Sequence, residues 1–245
     1  MSRLSPHGPR AAELLAVASG HADLVLVEGQ TRCLDLIQHG LVPEQLIVAQ
    51  GHLEGLAPAL RSTAWETLEA PLPTYGRLVG SRTLPGVSAV FRRPLTTWQD
   101  LDDAQLLLGI DAVQDPGNLG ALIRVAAALG ADGVLVGPGC ARPWSVKALR
   151  ASAAATFLVP VLELEAWAEV QDHGLQVAMA SAHDGKPPTA EPWLGRWVLV
   201  VGNEGHGSAL SGRAVTWPLR SGVESLNVAV AAALLLSAIL AGQRR

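Results

Sequence analysis

Glu224-Ser225-Leu226-Asn227-Val228-Ala229-Val230-Ala231, continuing through Ala232-Ala233-Leu234-Leu235-Leu236-Ser237-Ala238-Ile239-Leu240, is the stretch on which the reading of the fold turns. From Val228 to Leu240 it is apolar apart from Ser237. A membrane-spanning helix needs about 18–20 such residues, so this run is too short and reads as a helix buried on most of its sides. Its beginning is polar. Ser225 and Asn227 are of the residue types that cap helix N-termini, where backbone N–H groups lack intrahelical partners. Gly222 just upstream permits a tight turn. The sequence therefore describes a polar, N–H-rich mouth opening from the deepest part of a core.

Working outward, the chain of 245 residues has room for one large domain or two smaller ones. At 49% hydrophobic and 16% charged residues it can build a sizeable core and does not have the composition of a disordered chain. The net charge of −4 carries no global nucleic-acid signature. The local distribution differs: from Pro71 to Gln99 there are Arg77, Arg82, Arg92 and Arg93 and no acidic residue. Such a stretch is a candidate phosphate-contacting surface. Cys33 and Cys140 are too few and too far apart for a disulfide framework or a zinc site. The N-terminus has no apolar signal region, and a cytoplasmic protein is expected.

Apolar periodicity divides the chain in two. The first part contains a helix at 11–20, a strand at 22–27, a helix at 31–38, a strand at 46–48, a weaker helix at 53–60 and a strand at 87–91. Residues 94–103, with Thr96, Thr97, Gln99 and three aspartates, form the candidate linker. The second part opens on the continuous apolar strand 105–110, of the kind buried on both faces. Helices at 119–129, 145–155 and 165–171 then alternate with strands at 134–136, 159–162, 175–180 and 197–201. A short strand at 215–217 precedes the final helix. This alternation predicts an α/β fold, with a mostly parallel sheet and helices on both faces, preceded by a small α/β unit. The expected domains are 1–99 and 105–245.

Two loops at predicted strand ends are rich in polar residues and glycine, and such sheets bind ligands beyond the carboxyl ends of their strands. The first is Asp111-Ala112-Val113-Gln114-Asp115-Pro116-Gly117-Asn118, in which Asn118 can cap the following helix. Arg124, about two turns into that helix, stands among apolar residues and must meet an anion or reach water. The second loop is Gly202-Asn203-Glu204-Gly205-His206-Gly207, whose glycines let a ligand approach the backbone. Several chemistries lack their signatures. There is no G-x-G-x-x-G after the first strand, no G-K-[ST] phosphate loop and no G-x-S-x-G elbow. The histidines show no i, i+4 metal spacing, and no metal is expected.

Taken together, Asp115-Pro116-x-Asn118-x-Gly120-x-x-x-Arg124, then Gly202-Asn203-Glu204-Gly205-x-Gly207, then Pro218 with Glu224-Ser225-Leu226-Asn227-Val228-Ala229-x-Ala231 resemble the three ordered motifs of the SpoU (TrmH-type) branch of the SPOUT RNA 2′-O-ribose methyltransferases. The resemblance covers 106–241. More weakly, Val27-Glu28-Gly29 and Gly86-Val87-x-Ala89-Val90 resemble the ribosomal-protein-like substrate-binding domain often fused ahead of it. It implies a carboxyl-terminal trefoil knot, an exception to the rule against knotted chains. It also implies S-adenosyl-L-methionine as cofactor, held by Val201, Gly202, Asn203, Trp217, Pro218 and Leu226. Asn118, Arg124, Glu204, Ser225 and Asn227 match the family's polar active-site positions, and RNA contacts are expected from Arg77, Arg82, Arg92 and Arg93. This sequence departs from the family at Trp217, usually Ile, at Leu219, usually Met, and at Ser221, usually Gly.

The implied activity is S-adenosylmethionine-dependent methylation of a ribose 2′-hydroxyl in RNA, with ribosomal RNA favoured because the amino-terminal domain is present. The implied working unit is a homodimer in which Arg124 reaches the partner's cofactor site, with no membrane association. A non-catalytic RNA-binding or ribosome-assembly protein on the same fold, and a tRNA ribose methyltransferase, are the alternatives.

Overall fold

In a computed structural model, the structure describes residues 2–63, 66–81, 83–190, 192–202 and 210–243. The chain divides into two compact units, residues 1–94 with 142–157, and residues 95–141 with 158–245.

The first unit is built from β1 (Ser2–Arg3), α1 (Pro9–Ala18), β2 (Leu24–Glu28), α2 (Gln30–Gln38), β3 (Gln45–Ala49), α3 (Pro58–Thr63), β4 (Glu66–Ala70), α4 (Leu72–Val79) and β5 (Val87–Arg92). Its sheet has the order β1-β4-β3-β5-β2. β5 runs antiparallel to both of its neighbours, and the remaining pairs are parallel. The apolar runs of β2, β3 and β5 are buried on both faces, which is why they read as continuous rather than alternating strands. α1 starts at Pro9, where a missing N–H costs nothing, and buries Ala11, Leu14 and Val17 at helical spacing. Those residues pack with Leu26, Ile47, Tyr75 and Leu78. The buried Tyr75 hydroxyl pairs with Ser88 Oγ at 2.8 Å, so neither polar group is left unsatisfied.

Residues 142–157, which the sequence assigns to the second domain, pack into the first unit. They carry the short helix of Val146–Ala151, whose Val146 joins the core just described. Trp144 is 1% exposed and meets Phe157 edge-on at 5.3 Å, and Phe157 in turn meets Phe91. Gly20, in the left-handed region at φ +79°, makes room for this segment: a Cβ there would come within 2.7 Å of Ser145 N. The anchor is ionic. Arg150 Nε and Nη2 donate to the two carboxylate oxygens of Glu28 at 2.5 and 2.7 Å, and Nη2 also donates to Val79 O at 2.6 Å. Glu28 is 7% exposed, and its hydrogen bond raises the Arg150 pKa further above its ordinary value.

Arg150→Ala leaves a buried carboxylate with only the distant Arg32 guanidinium, at 3.8 Å. We expect a loss of about 2–3 kcal/mol in denaturant unfolding. That is below the roughly 3–5 kcal/mol of a fully buried pair, because Arg150 keeps some solvent contact. Arg150→Met combined with Glu28→Gln, which removes both charges, should recover most of that loss; a double variant as unstable as Arg150→Ala would show that the pair contributes little.

The second unit contains β6 (Leu106–Asp111), α5 (Pro116–Leu129) and β7 (Gly133–Val136). The chain then passes through the helix of Val146–Ala151, here α6, and returns with β8 (Val161–Glu163), α7 (Ala168–Asp172), β9 (Gln176–Ala180), β10 (Trp197–Gly202), β11 (Arg213–Val215) and α8 (Val228–Gln243). All pairs are parallel, in the order β11-β9-β10-β6-β7-β8. One face of the sheet carries Leu107, Leu135, Val177, Val198 and Val200 against Trp167 and Val170 of the α7 region and Leu101. α5 and α8 pack on each other, α5 also against β6 and β7 and α8 against β9 and β10. Helices therefore cover both faces, as expected of a parallel sheet.

Several boundaries differ from the sequence reading. β1, β4 and α4 have no counterpart in it, and the weak helix of 53–60 lies at Pro58–Thr63. α5 begins at Pro116 rather than at 119, and the expected strand 215–217 is Arg213–Val215. The candidate linker is folded and belongs to the second unit. Thr97 and Asp100 cap a 3-10 turn at Trp98–Leu101 reciprocally, Leu101 is buried, and the Trp98 ring stacks on His173 at 4.0 Å.

Candidate active site

β6, β10 and β9 are adjacent in the sheet and end at the same edge, with Gly202 of β10 paired to Asp111 of β6. The carboxyl ends of β9 and β10, with residues 217–228 and with Ala231 and Leu235 of α8, surround a cavity of roughly 280 Å³. Its walls include Val201, Gly202, Trp217, Ser225 and Leu226, five of the residues singled out from the sequence. Pro218, exposed, follows Trp217 but does not line it. Asn203 and Glu204 lie outside the described residues. The sequence reading omitted Ala180, Ser181 and Ala182, which close the cavity from the end of β9, and Leu219 beside Trp217. The carboxyl-end rule, applied to β9 as it was to β6 and β10, points to them. Ser181 Oγ accepts from the backbone N–H groups of His183 and Asp184 at 3.3 and 3.0 Å, which turns the chain away from the cavity.

Gly202 sets how closely the walls approach. A Cβ at this position would stand 2.0 Å from the backbone oxygen of Asp111. Asp111 is held in turn by Trp167, whose indole N–H donates to Asp111 Oδ1 at 2.7 Å. The next residue, Ala112, has φ +51°, a left-handed conformation that a non-glycine residue adopts at some cost. The loop from β6 to α5 thus leaves its strand through a fixed, strained turn. Cys140 braces it: its thiol donates to Ile110 O at 3.2 Å and accepts from Val113 N at 3.3 Å. Burial pushes this thiol up to about 11, so it serves as a hydrogen-bonding group and not as a nucleophile at neutral pH.

Asp115, not Asn118, caps α5. Its carboxylate accepts from Asn118 N at 2.8 Å, with Pro116 at the first helical position. The Asn118 side chain is consequently left for other partners. At the mouth of α8 it is Asn227 that caps: its Oδ1 accepts from Ala229 N at 3.0 Å. Asn227 Nδ2 reaches Asn118 Oδ1 at 3.4 Å, so the structure brings the first and third motifs into contact. Ser225 is exposed at the rim of the cavity. Arg124 is exposed on α5 with no ion-pair or hydrogen-bond partner among the described residues. The internal salt bridge that would explain it structurally is absent among them.

The arginines of the first unit are less alike than their acid-free stretch suggests. Arg92 is ion-paired with Glu44 at 2.5 Å, an acid brought in from the start of the neighbouring strand β3. The Arg93 guanidinium lies 5.9 Å from the centre of the Trp144 ring. Arg77 is exposed, with Nη2 donating to Pro6 O at 3.1 Å. Arg82 lies outside the described residues. No group of three or more potential metal ligands occurs among the described residues, and no described helix is long and apolar enough to cross a membrane.

Residues 105–237 match the family model described as the SpoU rRNA methylase family. The chain is 33% identical over 220 residues to the 23S rRNA (guanosine(2553)-2′-O)-methyltransferase RlmP of Bacillus subtilis, covering 86% of each chain. Its structure is similar to a crystal structure of an RNA 2′-O ribose methyltransferase, with a TM-score of 0.75 and 27% identity over 100% of this chain and 99% of the other. It shares its fold with the SpoU methyltransferase AviRb from Streptomyces viridochromogenes in complex with AdoMet, with a TM-score of 0.81 and 24% identity over 96% of this chain and 98% of the other. With its first and third motifs in contact and more than half its length matched by the family model, this chain belongs to the SpoU rRNA methylase family.

Proposed function

We propose that the protein methylates a ribose 2′-hydroxyl in RNA, using S-adenosyl-L-methionine held in the cavity at the ends of β9 and β10. The observation that carries this reading is the cavity itself: its walls are drawn from the second and third motifs, and the Asn118–Asn227 contact ties the first motif to the third. The residues fit the cofactor. Trp217 and Leu219 supply apolar walls for an adenine, and the bare backbone at Gly202 lets a purine edge reach main-chain groups. Val201, Leu226 and Pro218 complete the binding segment, with Asn203 between them in sequence.

When bound, the cofactor supplies a sulfonium-activated methyl group, so the protein's task is positioning. Arg124 exposes its guanidinium, whose planar set of N–H donors suits it to hold a phosphate next to the target ribose. Ser225, at the rim, offers a hydroxyl to the same ligand. Glu204 is the acid of the second motif and the candidate to accept a hydrogen bond from the 2′-hydroxyl. Ribosomal RNA is the substrate class we favour, as the name of the Bacillus relative supports. Arg77, Arg82, Arg92 and Arg93 are the proposed RNA contacts of the first unit. The carboxyl end is proposed to be threaded as a trefoil knot, and the working unit to be a homodimer. Val230 is 48% exposed on α8, an otherwise apolar helix, and Arg124 is free to reach a second copy.

Leu226→Glu tests the pocket. The side chain is half-buried against the cavity, so the variant should fold, but a carboxylate in that wall should weaken cofactor binding in calorimetry about 100-fold, the equivalent of roughly 3 kcal/mol. Unchanged affinity would place the pocket elsewhere.

A further inference from the structure

Two helix ends and two asparagines fix a direction of hydrogen bonding at the proposed reaction site. The N-terminus of α8 offers only N–H donors, so the Asn227 group facing Ala229 N at 3.0 Å has to be its oxygen. With the oxygen turned to the helix, the NH2 of the same amide points at Asn118 at 3.4 Å. The Asn118 group receiving it is therefore its oxygen. The backbone N–H of Asn118 is separately engaged by the Asp115 carboxylate, so the side chain is not drawn into capping its own helix. What remains wholly unengaged on the half-buried Asn118 is its NH2 group, beside the second lone pair of an oxygen that already accepts from Asn227.

From this we infer that Asn118 meets the RNA through its NH2, as a hydrogen-bond donor to a phosphate or ribose oxygen, and that Asn227 is a positioning residue that sets this polarity. The inference rests on the methyltransferase reading and deepens it: neither asparagine accepts a proton from the 2′-hydroxyl. The polarity runs from the α8 N–H groups through Asn227 to Asn118 and out to the substrate. The positive end of the α8 dipole is thus extended onto the substrate oxygen by two neutral amides.

Asn227→Asp separates this role from capping. An aspartate keeps the acceptor toward Ala229 and caps at least as well next to a helix N-terminus. Its second oxygen now faces Asn118, which must turn its NH2 inward and its oxygen toward the substrate. The expected result is a melting temperature equal to or above wild type and cofactor affinity within twofold, with kcat/KM for RNA at least 30-fold lower. Asn118→Asp, close in shape but unable to donate when ionised, should lose 100-fold or more. Either variant retaining activity within threefold overturns the inference. In the free protein, the Asn227 side-chain NH2 resonances should move upfield in Asn118→Ala; resonances that stay in place also overturn it. Wild type with no methyl transfer to any RNA would instead sink the methyltransferase reading, and the resonance measurement would still decide the pairing.

Discussion

Replacing Arg124 by alanine should lower methyl transfer to RNA by about 10²–10³-fold while leaving S-adenosylmethionine affinity unchanged. The size follows from what a charge-assisted donor aimed at a phosphate supplies, and from the absence of any partner for this guanidinium among the described residues. A surface arginine with no role could be removed at a cost within about 0.5 kcal/mol of stability and with no change in rate. The cavity walls do not include Arg124, which is why binding of the cofactor should survive. If the working unit is the proposed homodimer with Arg124 acting across it, co-expression with Leu226→Glu decides the matter. Arg124→Ala retains a good cofactor pocket and Leu226→Glu retains a good arginine, so each mixed dimer has one competent site. Activity that neither parent shows would place Arg124 in trans. Mixed dimers confirmed by mass but as inactive as their parents would place it in cis.

Gly202→Val should be the most damaging single change in the second unit. Any Cβ at this position would lie 2.0 Å from Asp111 O and 2.9 Å from Asp111 C, both backbone atoms that cannot turn aside. Relief requires the ends of β10 and β6 to part at the register pair Gly202–Asp111. That pulls on the Asp111–Trp167 hydrogen bond and on the strained Ala112. Overpacking of this kind costs about 1–3 kcal/mol, and at roughly 2–4 °C per kcal/mol for a chain of this size the melting temperature should fall by about 2–12 °C. Because the end of β10 is a cavity wall, cofactor binding should be lost in calorimetry even at temperatures where the variant is folded. A variant that melts within a degree of wild type and binds normally would show that Gly202 is not the close-approach point described.

Most of the second unit was legible because its strands are continuous apolar runs at even spacing and its loops announce themselves by Asp-Pro-Gly and by glycine. What the sequence could not convey is which atoms answer one another over long separations. Glu28 and Arg150 are 122 residues apart, and their bidentate contact, with Trp144 under Arg93, draws 142–157 out of the unit to which its periodicity assigns it. β4 and α4 were missed for a local reason: Glu66-Thr67-Leu68-Glu69-Ala70 buries only Leu68 and Ala70, and α4 opens on Leu72-Pro73, which reads as a loop. In the site, residue types identified Asn118 and Asn227, but not that Asp115 takes over the cap of α5 and releases Asn118. The strand expected to end at Trp217 ends at Val215 because β11 pairs with β9 only through Arg213–Val215, which leaves Trp217 free to turn into the cavity. For the arginine-rich stretch, absence of acid along the chain did not mean absence of acid in space, as the Arg92–Glu44 pair shows.

Whether this protein is a ribosomal RNA ribose methyltransferase is decided by mapping ribose 2′-O-methylation on ribosomal and transfer RNA from cells with and without it, then restoring the modification with purified protein and S-adenosylmethionine. One ribosomal RNA site should be lost in the deletion, regained in vitro with wild type, and not regained with Leu226→Glu or Arg124→Ala. Identical methylation maps in the two cell types, together with no transfer of labelled methyl to any RNA in vitro, would contradict this activity.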